Sequence, residues 1–271
     1  MKLADYKSNH DFTLLVGRSG SGKSCAGISR PGRRDIWDVD YRIGGIAACP
    51  FIEKEGLEFE QFPPTPRGCQ KLLDRCAMYN SAYQNQGSAG LPKSLQLDSL
   101  TSLTSLLTNT SEEITKGQTI KDPSKGLTTE IRMSGPGDYK FEHSGIQYIL
   151  DAIRPLPMNF YLTAHIINRY GKPSGKGGEY AENIVIGEQL NARDKIAERV
   201  VSVFDNVWRF DKIILNNEVR FMVEFNTDLA KNTYGIPWGT HNVTGIPFYK
   251  YLEVLKEFPT EPWQKIRERV K

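Results

Sequence analysis

No run of apolar residues in this 271-residue chain approaches the ~20 that a membrane-spanning helix needs. The first residues, Met1-Lys2-Leu3-Ala4-Asp5-Tyr6, lack the apolar stretch of a secretory signal, so the expected compartment is the cytoplasm. The four cysteines, Cys25, Cys49, Cys69 and Cys76, contain no C-x-x-C pair and have no nearby histidine, which argues against zinc. A formal net charge of +3 is too small to announce a nucleic-acid partner by itself, although it leaves room for a local basic groove. No internal repeat is visible. Hydrophobic content of 39% and charged content of 25% describe an ordinary globular chain, long enough for one large α/β domain.

The most informative stretch starts at Phe12-Thr13-Leu14-Leu15-Val16, an apolar run of strand type. Gly17-Arg18-Ser19-Gly20-Ser21-Gly22-Lys23-Ser24 follows and fits G-x-x-x-x-G-K-[ST]. The glycines let the backbone turn its N–H groups inward around a phosphate. In this pattern Lys23 reaches between the β- and γ-phosphates of ATP, and Ser24 gives its hydroxyl to Mg²⁺. Arg18, Ser19 and Ser21 contribute mainly backbone. Cys25 opens the helical stretch that follows, as a reduced thiol beside the phosphates.

Three further stretches carry candidate chemistry. Asp35-Ile36-Trp37-Asp38-Val39-Asp40 alternates like a strand. Asp40 at its end is a candidate for polarising the attacking water, or else a turn-capping carboxylate; Asp38 is the fallback on the same face. Leu95-Gln96-Leu97-Asp98 reads as a strand ending in a carboxylate that ligates Mg²⁺ through water, interrupted by Gln96. Ser99 and Thr101 suit helix capping. Asn159-Phe160-Tyr161-Leu162-Thr163-Ala164-His165 is another buried strand. His165, helped by Thr163, is placed to sense the γ-phosphate, or is a structural histidine.

The rest of the chain is less specific. A helix is expected over Gly68 to Tyr83 and another over Ser144 to Arg154. Residues 109–143 are polar and read as a long loop. Asn168 to Gly178 is Gly-rich and basic, with Tyr170, Lys172 and Lys176. Such a loop can track a phosphodiester backbone while an aromatic ring stacks on a base, or it can be plain surface. Residues 192–201 look helical. Strands over 203–210 and 219–225 flank Asn216-Asn217 as a hairpin. Residues 249–258 and 263–270 suit closing helices.

In this order the parts resemble the RecA-like core ATPases, above all the phage-encoded RecA-like proteins of single-strand annealing recombination. The resemblance rests on the loop at 17–24, Asp98-Ser99-Leu100-Thr101, Thr163-Ala164-His165, and Ala230-Lys231-Asn232-Thr233-Tyr234-Gly235. It implies an α/β fold: a RecA-like P-loop NTPase core with a predominantly parallel central sheet and an antiparallel hairpin extension. One domain would span 1–271, with its core at about 11–245 and a helical extension at 246–271. It also implies ATP and Mg²⁺, single-stranded DNA as partner, and a ring or filament of identical subunits. Lys231 matches a basic residue that reaches the γ-phosphate of a neighbouring subunit, or is an ordinary loop lysine; Thr233 stands where the family has Arg. Two alternatives stay open. One is an NTPase acting on a protein partner without DNA contact. The other is a small-molecule nucleotide kinase, which would need an Arg-rich lid where 109–143 has only Arg132.

Overall fold

The computed structural model describes residues 10, 12–29, 32–48, 52–115, 119–122, 127–132, 134–171, 184–215 and 218–226. Lys231, Thr233, Lys172, Lys176, Cys49, the Asn216-Asn217 pair and the closing helices lie outside them.

Phe12–Gly17 forms β1, buried at every position. Its alternation sends Phe12, Leu14 and Val16 into a large apolar core. A short helix, α1 (Lys23–Gly27), follows the loop. Next come β2 (Arg34–Asp38), α2 (Ile43–Ala47) and β3 (Leu57–Gln61). The helix α3 (Pro66–Gln86) starts with Thr65 accepting a bond from the Gly68 N–H at 3.3 Å and with Pro66 in its first turn. A 3-10 turn at Gly87–Gly90 leads to β4 (Ser94–Asp98) and then α4 (Leu100–Thr115).

Among the described residues, eight strands join in one sheet, in the order β10-β9-β1-β7-β4-β2-β3, with β8 paired to β7. Here β7 is Asn159–Gly171, β8 Ile184–Leu190, β9 Asn206–Leu215 and β10 Glu218–Asn226. The pairs β1–β7, β1–β9, β4–β7, β2–β4 and β2–β3 are parallel. The pairs β9–β10 and β7–β8 are antiparallel. The sheet is therefore mainly parallel, with the expected hairpin at one edge. One face carries α3, α4 and α5 (Pro136–Ile153), which bury Leu72, Cys76, Leu103, Leu106, Ile146 and Ile149 in the larger core. A smaller core of Ile28, Ile36, Ile46 and Ile52 forms beside α1 and α2. Among the described residues no helix is long and apolar enough to cross a membrane.

The polar segment 109–143 is not a loop. It contains the end of α4, a hairpin of β5 (Thr119–Asp122) and β6 (Leu127–Arg132), and the first turns of α5. Polar groups of α4 and α5 satisfy one another. Buried Asp138 accepts bonds from Ser111 Oγ at 2.6 Å, Thr115 Oγ1 at 3.3 Å and the Gly135 N–H at 2.7 Å. The histidine strand also runs on past residue 165. Its backbone pairs with β8 from Ile166 to Gly171, so the polar stretch 168–171 is strand. Helix α6 (Asp194–Val203) follows β8.

Candidate active site

Parallel strands bring their C-terminal ends to one edge of the sheet, where open α/β sheets bind ligands. Gly17 at the end of β1 lies in register with His165 of β7, and Asp38 of β2 with Asp98 of β4. Because β7 lies between β1 and β4, the loop strand and the carboxylate strand are one strand apart.

The loop at 17–24 closes tightly. Gly22 has φ 90° and is the last residue before α1, a left-handed turn that favours glycine. A Cβ on Gly17 would stand 2.3 Å from the Phe210 carbonyl oxygen of β9, so the backbone passes where no side chain fits. Lys23 is 5% exposed, and its Nζ donates to the carbonyl oxygens of Gly17 and Arg18, both at 2.9 Å. The ammonium thus lies across the loop. Burial lowers its pKa to about 8, opposed by Asp98 and Asp40 and reinforced by Arg42.

Gln96, buried in mid-strand, does not break β4. Its amide oxygen packs 2.0 Å from where a Cβ on Gly27 would be, so α1 can approach β4 only because residue 27 is glycine. At the strand's end Asp98 is buried and accepts bonds from Thr163 and Ser24. Burial pushes its carboxyl pKa up, and those two hydroxyls oppose the push.

Asp40 lies beyond the end of β2. Its Oδ1 accepts from Ser99 Oγ at 2.9 Å and from Ser102 Oγ, and His165 Nε2 lies 3.7 Å from its Oδ2. Burial pushes this carboxyl up, but the bonds from His165, Ser102 and Ser99 outweigh it and hold the pKa at about 2. Asp40 is therefore always charged at neutral pH and suits orienting a water better than removing its proton. Asp38 does not share this position. It accepts from the backbone N–H groups of Arg42 at 3.1 Å and Ile43 at 3.3 Å, and from Gln61 Nε2 at 3.0 Å, so it holds the start of α2.

Two readings are corrected. The side chains of Ser99 and Thr101 do not serve as caps: Ser99 goes to Asp40, and Thr101 Oγ1 donates to the Asn191 carbonyl at 3.3 Å. Arg18 contributes more than backbone, since its guanidinium donates to Asn168 Oδ1 at 2.6 Å. It also lies 3.5 Å from Glu188 Oε1 of β8, a carboxylate that Arg209 of β9 holds at 3.0 Å. Cys25 is partly buried. Ser102 and Arg42 escaped sequence reading. Ser102 belongs to a helix whose polar positions look alike, and the only signal for Arg42 was a cation two residues after Asp40.

Ser24 and Asp98 offer hard oxygen donors, hydrogen-bonded to each other, which fits Mg²⁺. Among the described residues no group of three or more His, Cys, Asp or Glu side chains gathers as for a dedicated metal cage. Mg²⁺ bound by one carboxylate, a hydroxyl, waters and substrate phosphates needs none.

The pKa of Lys23 gives a test. A phosphate held by Lys23 would use the ammonium form, so above pH about 8 the free protein would have to take up a proton to bind nucleotide. Affinity for ADP is expected to hold steady below that pH and then fall by up to about tenfold per unit. Calorimetry in buffers of different ionisation heat should register the proton uptake at pH 9. A pH-independent affinity between 7 and 9.5 would contradict it.

No protein-family model matches the chain, and no curated protein matches it in sequence. Among solved structures it is similar to a KaiC-like protein from Pyrococcus horikoshii, at 12% identity over 83% of this chain and 82% of that one, TM-score 0.43. It is also similar to the flagellar accessory protein FlaH from Methanocaldococcus jannaschii, at 9% identity over 85% of this chain and 81% of that one, TM-score 0.43. The fold is α/β, with a mainly parallel sheet and an antiparallel hairpin at its edge.

Proposed function

We propose that this chain is a Mg²⁺-dependent ATPase that binds single-stranded DNA, in the recombination or replication of a phage. One observation supports the ATPase reading most strongly. Lys23, Ser24, Asp98, Thr163, Asp40 and His165 come from four separate stretches and meet at one end of the sheet. Lys23 would exchange the two carbonyl oxygens it now bonds for phosphate oxygens. Ser24 and Asp98 would hold Mg²⁺, which when bound neutralises charge on the phosphates. Asp40 would accept a hydrogen bond from the attacking water, with Ser99 and Ser102 fixing its other oxygen. His165 lies beside Asp40 and would register the terminal phosphate.

The DNA partner rests on different ground. The resemblance to annealing ATPases implies it, and the β7–β8 arm leads into the basic stretch with Lys172 and Lys176. Arg18 ties the phosphate loop to that arm through Asn168 and Glu188, a physical link between nucleotide and arm. Changing Lys172 and Lys176 together to Ala is expected to flatten the log–log salt dependence of oligo(dT) binding by about 1.4, two charges' worth. Fluorescence anisotropy at several salt concentrations would measure it. An unchanged slope would leave the arm without a role in DNA binding. No salt-dependent retention of DNA at all would favour a protein partner.

A further inference from the structure

The turn between β2 and α2 is built more tightly than a connection needs. Asp38, itself held by Gln61, fixes the backbone of Arg42 and Ile43. Asp40 turns inward to His165, Ser99 and Ser102. Between Asp40 and Arg42, Tyr41 sits at φ 58°, a left-handed conformation that is uncommon for a bulky residue, and is 48% exposed. Such backbone outliers gather where a site dictates side-chain direction. Here the outcome is that Asp40 turns to His165, Ser99 and Ser102 while Arg42 reaches the phosphate loop. Arg42 Nη1 lies 3.4 Å from Ser19 Oγ of that loop. The guanidinium is exposed, while its backbone is pinned. Arg42 also acts electrostatically on Lys23.

We propose that Arg42 is a catalytic cation that the chain supplies to its own nucleotide, contacting the terminal phosphate of ATP. The inference rests on the ATPase reading above and adds a residue to it. A guanidinium presents five donors in a planar fork that matches phosphate oxygens. In hydrolysis a water oxygen bonds to the γ-phosphorus while the bond from phosphorus to the β–γ bridging oxygen breaks. That oxygen keeps the electron pair and leaves with ADP, and the water's proton passes to the released phosphate or to solvent. Arg42 stabilises the charge on the γ-phosphate oxygens, and Asp40 two residues earlier orients the water. One short turn thus carries both parts, and both act electrostatically on Lys23. Because ADP lacks the γ-phosphate, Arg42 also distinguishes the triphosphate from the diphosphate.

The test compares the full-length parent with Arg42→Ala and Arg42→Lys, using ADP and a non-hydrolysable ATP analogue in Mg²⁺. Arg42→Ala is expected to weaken analogue binding about ten- to a hundredfold and to leave ADP binding within about twofold. Turnover of ATP should fall by on the order of 10²–10³, and Arg42→Lys should recover part of the analogue affinity. ADP binding doubles as the check that the variant is folded. If Arg42→Ala keeps the parent's ratio of analogue to ADP affinity and its turnover, Arg42 has no such contact, and the ATPase reading stands without it. If the parent binds neither nucleotide, both readings fall together.

Discussion

Replacing Lys23 with alanine is expected to weaken ATP binding by on the order of a hundredfold or more, since each hydrogen bond to a charged group contributes about 1.5–3 kcal/mol. The ammonium is the one side chain of the loop that is both buried and cationic. Its two present partners, the Gly17 and Arg18 carbonyls, belong to the loop itself, so a phosphate placed there would meet an oriented donor. The substitution also removes those two bonds, which makes some loosening of the loop part of the expected result. The cost to folding should stay near 1–2 kcal/mol, because a buried, desolvated charge disappears with them. Titration calorimetry with ATP and a thermal melt separate the two effects. Affinity within threefold of the parent would remove Lys23 from phosphate binding.

Asp98→Asn is expected to reduce ATP turnover by on the order of 10²–10³ while binding of ATP in chelator is kept or improved. Asparagine preserves an oxygen for Thr163 to donate to, so packing at the end of β4 should survive. What disappears is a negative charge in a buried position beside Lys23, the position where a divalent cation would be stabilised. A Mg²⁺ titration of turnover should show a requirement shifted upward by about tenfold or more. Turnover at the parent's level over the same Mg²⁺ range would show that another group holds the metal.

Local signals made the phosphate loop legible, because strand, glycine turn and helix start lie within sixteen residues of one another (12–27). Asp98 could be read because a carboxylate ending an apolar strand is also local. The pairing of Asp40 with His165 could not be read, since it depends on β7 entering between β1 and β4, and chain order does not reveal that. Polar composition misled twice, for one physical reason: buried polar groups with partners are compatible with helix and strand. Asp138 binds Ser111, Thr115 and the Gly135 N–H inside what looked like loop, and backbone pairing with β8 carries β7 on through Asn168. Arg42 depends on Tyr41 adopting a positive φ, for which a tyrosine in the sequence gives no hint.

The most direct measurement of the central claim is release of inorganic phosphate from ATP by the full-length protein in Mg²⁺, repeated after chelation and with Lys23→Ala as the blank. The account predicts steady release in Mg²⁺ that chelator abolishes and the blank lacks. Release no greater than the blank, or equal with and without the metal, would contradict it.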